Sequence, residues 1–399
     1  MTDLPIQVYV RDSNRQTFAE LTTWSTVTVI GRFNDVGQWT LITENPLEAQ
    51  ALTPPTNSLG QITARRGLIF RREDTAGTPQ TFMSGWLSKE PDVESSEGQT
   101  QWTFNGYNDT NLLRNALCWP RPTAAATAQT DSHDIRIGPI SNRIRDYFIA
   151  NVVTRQGVAG ATGGSQVNLG ASGITKARFK GLLELAQELC GRAINFEIRQ
   201  RDSDQALFLY FWLPEDKRLS VQFSPSLGTV QAWSRSSSET TCNRVILGAG
   251  GEMELRVFRQ FQDAEDISDW GPIEVFKDRR DLSPEDPTLE DELTVDGLTF
   301  LDESKGRSTF TIDVSGAPGS LPWVHFRPGD RVRAYIDTDD NGQPVGLVDD
   351  LVWQVDAEWS AEGESGTVQI GNPEDVPDET TARTIRKTIR RVNDLETRQ

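Results

Sequence analysis

The chain has 399 residues, enough for roughly two to three domains at about 150 residues each. Its 58 acidic and 40 basic residues give a formal charge of −18, which excludes a broad surface that grips nucleic-acid phosphates. Three widely spaced cysteines, Cys118, Cys190 and Cys242, exclude a disulfide framework or a CxxC zinc site and read as reduced core thiols.

Residues 1–120 read as strands and turns. Ile6, Val8 and Val10 alternate with polar neighbours, as do Val27 and Val29, then Trp39 and Leu41, then Leu68 and Phe70. Period-two alternation of this kind predicts half-buried strands, and the whole segment a β-barrel or sandwich. Within it RFNDVGQWTL (Arg32–Leu41) places the turn residues Asn34, Asp35 and Gly37 between two strand runs. It reads as a hairpin corner.

From Pro120 the texture changes. PRPTAAATAQT is a small-residue linker, and Ile140, Ile144, Tyr147 and Phe148 then fall on one helical stripe. After the Gly/Ala/Ser loop GVAGATGGSQ, a second helix is predicted with Phe179, Leu182, Leu183, Ala186, Leu189 and Cys190 on one face and Gly191 at its end. The runs INFEIRQ and ALFLYFWLP predict a hairpin. Residues 121–220 are therefore an α+β domain.

Strands return from 221 to 375. VILGAGGEMELR holds Gly248 and Gly250, but Met253 stands where a dinucleotide fingerprint needs its third small residue, so a glycine-rich turn is the better reading. TLEDELTVDGLTFLDE (Thr288–Glu303) predicts an acidic helix that buries Leu289, Leu293 and Leu301. In IDTDDNGQPVGLVDD, Asp337, Asp339 and Asn341 match the first ligand positions of a calcium loop, yet Val348 replaces its bidentate Glu. Asn341-Gly342 favours a two-residue hairpin instead, with weak calcium binding as a side possibility. Residues 376–399 form a basic C-terminal segment that reads as an amphipathic helix, with Ile385, Ile389 and Val392 as its apolar stripe. A short stripe on an otherwise polar helix needs a partner, so these three are the expected interface residues.

Catalysis has little to work with. The two histidines, His133 and His325, sit in no nucleophile or HExxH motif, so no catalytic residue, cofactor or metal beyond the calcium-loop candidate is expected. Tryptophans on strand-like segments (Trp86, Trp102, Trp212, Trp353, Trp359) read as core packing. MTDLPIQVYVRD carries neither a basic n-region nor a long apolar run, so no secretory signal is expected, and no apolar run is long enough to predict a membrane span.

The ordered set RDSNRQTFAEL, RFNDVGQWTL, GLIFRR with FMSGWLS, WTFNGYNDTNLLRNALCWP, GPISNRIRDYFIAN, CNRVILGAGGEMELR, EVFKDRRD and FRPGDRVRAYID resembles the minor tail proteins of long-tailed actinobacterial phages, the tail-hub family. The resemblance spans most of residues 6–375. It implies a mainly β fold with an α+β insertion: two tube-like β-barrel domains (1–120 and 221–375), a smaller α+β domain and a C-terminal helix. It also implies a non-enzymatic homotrimer at the virion tail tip, assembled in the host cytoplasm. Its partners would be a distal tail protein ring, the tape measure protein and receptor-binding proteins, with DNA passing through unbound. The competing reading is a β-rich glycan-binding or cell-wall-hydrolysing protein, which would need two carboxylates and tryptophans in one cleft.

Overall fold

In the computed structural model the described residues are 6–371, apart from 97, 238, 252–255, 281, 283–284, 286–288, 307, 315–318 and 339–343. They form two compact units, the first Met1–Trp233 with Thr311–Ile370 and the second built around Ser234–Phe310. The calcium-loop residues Asp339 and Asn341, and the stripe residues Ile385, Ile389 and Val392, lie outside the described residues. Asp337 falls in a strand, paired with Val345. Among the described residues no helix is long and apolar enough to cross a membrane.

The first unit begins with β1 (Gln7–Arg11), β2 (Thr17–Leu21), β3 (Thr26–Arg32), β4 (Gln38–Thr43), the short helix α1 (Pro46–Leu52), β5 (Gly67–Glu73), β6 (Pro79–Leu87), β7 (Asp92–Ser96) and β8 (Gln99–Asn108). The α+β part follows as α2 (Asn111–Arg114), β9 (Leu117–Cys118), β10 (Asp134–Pro139), α3 (Ile140–Phe148), β11 (Ala161–Thr162), β12 (Ser172–Ala177), β13 (Lys180–Gly181), α4 (Leu182–Cys190), β14 (Asn195–Gln200) and β15 (Leu207–Trp212). After β16 (Gln222–Phe223) the chain leaves this unit within β17 (Val230–Ser237) and returns within β21 (Ser308–Val314), ending in β22 (Arg331–Thr338), β23 (Pro344–Ser360) and β24 (Gly363–Ile370).

The main sheet runs β17-β21-β24-β23-β3-β4-β8-β6-β5-β1-β2, with β7, β16 and β22 paired off this path. Its register sets whole rows of buried side chains side by side. Trp359 opposes Val27, Val27 opposes Leu41, and Leu41 opposes Phe104. One step along, Ala357, Val29 and Trp39 line up with Gly106, and a Cβ on Gly106 would stand 2.2 Å from the Trp39 indole. Glycine is required there because the large ring fills the side-chain space. The sheet curls until its distant strands meet: Arg72 of β5 makes two 2.7 Å bonds to Glu364 of β24, and Phe82 of β6 stacks on Trp323 at 4.7 Å. No pairing among the described residues closes the path into a ring.

β23 explains why the ends of the sequence share one core. Its first half pairs with β22 and its second half with β3 and β24, so residues more than 300 positions apart are hydrogen-bonded neighbours. The compact units thus follow strand pairing rather than chain order.

In the α+β part, Ile144, Tyr147 and Phe148 of α3 pack with Leu182, Leu185 and Ala186 of α4 in one buried cluster. Helix α3 forms where the apolar stripe predicts it, and Ile149–Arg155 continues it as a wider, π-type turn. Helix α4 starts three residues later than its apolar face suggests. Lys180 and Gly181 are taken by pairing with Cys118 and Leu117, which leaves Phe179 outside at φ 53°, edge-on to Trp119.

The second unit is a three-stranded sheet of β18 (Arg244–Ala249), β19 (Phe258–Gln262) and β20 (Glu274–Arg279), with helices α5 (Ala264–Trp270) and α6 (Leu289–Ser304). Val245, Leu247 and Ala249 of β18 pack with Leu289, Leu293 and Leu301 of α6, the face the leucine spacing predicts. Asp263 caps α5 by accepting from the Glu265 and Asp266 amides.

Candidate assembly site

The corner between β3 and β4 is a joint within the chain. Asn34 takes a left-handed φ of 51°, a conformation asparagine tolerates better than other non-glycine residues. Its side chain then acts as a missing piece of backbone for β14. Nδ2 donates to the Ile194 carbonyl (2.8 Å) and the Gly191 carbonyl (3.3 Å), and Oδ1 accepts from the Phe196 amide (2.8 Å). The Asn34 carbonyl accepts from Gln187 of α4 at 3.0 Å. Two residues on, Val36 is buried in the cluster formed by α3 and α4. The sequence reads the turn correctly, and the structure shows what the corner does within the chain: it holds the α+β part against the main sheet.

The expected result of Asn34→Ala is a loss of about 2–4 kcal/mol, since it strands a buried amide and carbonyl and puts an alanine in the left-handed region. Asn34→Gly relieves the backbone strain alone and should recover part of the loss. Urea unfolding measures both, and a shift below about 0.5 kcal/mol for the alanine variant would remove this role.

A second joint is buried more deeply. Arg11 of β1 is fully enclosed and makes a two-pronged bond to Asp109, Nη1 to Oδ2 at 2.9 Å and Nη2 to Oδ1 at 2.6 Å. Nη1 also donates to Gln200 of β14 at 2.8 Å, and the guanidinium lies 4.1 Å from the Trp86 ring centre. Ser84 donates to Asp109 and accepts from the Gln200 amide, at 2.5 and 2.7 Å. The network therefore ties β1, β6 and the end of β8 to β14. Nothing in the sequence singles out Arg11: it stands among alternating residues as one charge among many.

Beside the corner lies a cleft of about 40 Å³ lined by Asn34, Asp35, Glu197, Trp212, Trp323 and Arg327 among others. It brings two carboxylates and two tryptophans together, the combination the glycan reading needs, but its room is that of about three waters. Trp212 is stacked by Arg327 at 4.5 Å and Trp323 by Phe82, so one face of each ring is taken up by the protein. Among the described residues no group of three or more His, Cys, Asp or Glu is arranged to hold a metal ion. Cys118, Cys190 and Cys242 are buried and unpaired with one another, and burial pushes the Cys118 thiol up to about 12. His325 accepts from the Leu321 amide through Nδ1 (3.2 Å), and burial lowers its pKa.

Residues 7–372 match the model of the family described as Siphovirus ReqiPepy6 Gp37-like protein. No curated protein matches the chain in sequence. In fold it is similar to the 43 kDa tail protein of prophage MuSo2 from Shewanella oneidensis, with a TM-score of 0.57, 12% identity, and 93% of this chain and 99% of that one covered. A tail protein from Neisseria meningitidis MC58 gives 0.56 and 13%, covering 92% and 97%. Prophage tail protein gp18 from Listeria monocytogenes EGD-e gives 0.51 and 8%, covering 92% and 95%.

Proposed function

The chain belongs to the Siphovirus ReqiPepy6 Gp37-like family of phage tail proteins, and from that premise we propose that it is the hub of the tail tip. In this reading three copies form a ring that closes the tail tube. Residues 1–120 and 221–375 supply two tube-like β lobes, joined where β23 pairs with β3, so three subunits offer six, matching a sixfold tube above. Residues 121–220 form the α+β domain clamped beside them, and 376–399 the C-terminal helix. The ring joins a distal tail ring and the tape measure protein to receptor-binding proteins, as a structural part and not an enzyme.

The observation that carries the reading is the likeness in fold to phage tail proteins along more than nine-tenths of this chain, end to end on both sides. The charge of −18 fits it as well. A conduit that repels phosphates lets DNA slide through without sticking. Reconstruction of the tail tip from purified virions tests both points. A threefold ring of this chain with a predominantly acidic lumen is expected; its absence from the virion, or a lumen lined by Lys and Arg, would defeat the proposal.

Self-association in this reading uses Ile385, Ile389 and Val392. Deleting 380–399 should reduce the trimer fraction at least tenfold at micromolar concentration, read by native mass spectrometry. Unchanged oligomerisation would leave the stripe without that role.

A further inference from the structure

Half of the net charge is concentrated in one place. Ser234–Phe310 carries 18 acidic and 9 basic residues, in under a fifth of the sequence. Much of the acid falls on or beside α6. The inner face of that helix is fixed by Leu289, Leu293 and Leu301 packing on β18. Its outer face runs Asp291, Val295, Leu298, Asp302, at spacings of four, three and four, which sets the side chains in one row. Val295 and Leu298 are 66% and 56% exposed, side by side in the middle of that row. An outward helical face with an apolar centre and acidic ends calls for a basic amphipathic partner.

The sequence supplies one. Thr381–Val392 holds five basic residues and no acidic one, and its apolar residues Ile385, Ile389 and Val392 follow spacings of four and three. A segment of twelve residues is too short to hold a helix by itself in water and gains its order from the surface it meets. We propose that the C-terminal segment of one copy docks on the outer face of α6 of a neighbouring copy. Ile385 and Ile389 pack on Val295 and Leu298, and Arg386, Lys387, Arg390 and Arg391 sit beside the exposed carboxylates at the two ends of the row, Asp291 and Asp302. Glu290 and Asp296 are already paired, with Arg259 and with Lys277 and Arg279 of their own unit. This deepens the self-association reading above and rests on it for the choice of a second copy.

The contact is electrostatic at its rim, so it weakens as salt shortens the screening length. It is apolar at its centre, so a charge there destroys it. The test uses the full chain with a photo-cross-linking residue at Thr299, which is exposed on α6 next to Leu298. Chains labelled with heavy and light isotopes are mixed, irradiated, and the products mapped by mass spectrometry.

The expected product joins α6 of one label to residues 381–392 of the other, falling at least fivefold with Val295→Lys/Leu298→Lys or with Arg386→Glu/Arg390→Glu. A cross-linker at Gln260, on the strand face of the same unit, should give no such product. Heavy–light products that join Thr299 to residues outside 381–392 would overturn this inference and leave self-association standing. Products confined to single chains, or none above the Gln260 control, would overturn this inference. A full chain that is monomeric by native mass spectrometry would overturn the self-association reading as well.

Discussion

Replacing Arg11 with alanine is expected to destabilise the protein by about 3–5 kcal/mol, the largest single effect outside its apolar core. The reason is what remains behind. Asp109 is also fully buried, and without the guanidinium its carboxylate keeps, among the described residues, only the Ser84 hydroxyl. Gln200 loses its donor and Trp86 the cation over its ring. The network reaches from β1 to β14, so damage should appear first where the α+β part meets the main sheet. Hydrogen exchange is expected to accelerate at β14 and β15 before it does at β3 and β4. Removing both charges with Arg11→Met/Asp109→Leu should be far milder than either change alone, because no buried charge is then left unpaired. A loss below about 1 kcal/mol for the alanine variant, or a double variant as damaged as the singles, would show that the pair does not anchor the joint.

The contrast between Arg11 and Trp39 shows what the sequence makes legible. Trp39 lies on a strand whose alternation reads directly, and it is buried as the pattern requires. The helical stripes of α3 and α6 are equally plain, because the period of a single element fixes which side is apolar. Pairing partners are another matter. No local signal tells β3 that its neighbour is β23, more than 300 residues away, since any alternating strand offers the same edge. For the same reason the compact units do not follow the chain-order segments 1–120, 121–220 and 221–375. The corner at Asn34 falls between these cases. Its turn chemistry is written in the sequence, but its carbonyl partners at Gly191 and Ile194 come from the fold.

Asp330 should make the protein less stable as pH rises from about 4 to about 6. It follows Gly329, whose φ of 90° turns the chain into β22, and it is almost wholly enclosed. Oδ2 accepts from the Arg327 amide at 3.0 Å, but the Arg327 side chain comes no nearer than 4.0 Å. Burial therefore dominates and raises the carboxyl pKa to about 6. In the unfolded chain the group ionises near pH 4, while in the folded protein it keeps its proton until about 6. Between these values the unfolded state has released a proton that the folded state still holds, so stability falls with rising pH, by roughly 3 kcal/mol across the window.

Asp330→Asn keeps an oxygen for the Arg327 amide and cannot ionise. The variant should match the parent near pH 4 and exceed it by about 1–3 kcal/mol at pH 7–8, read as the difference between urea midpoints across pH. The difference matters more than either curve, because Asp356, raised chiefly by its own burial, titrates in parent and variant alike and cancels. If the gap between the two proteins were flat from pH 4 to 8, Asp330 would share one pKa in both states, and its enclosure would carry no penalty for charge.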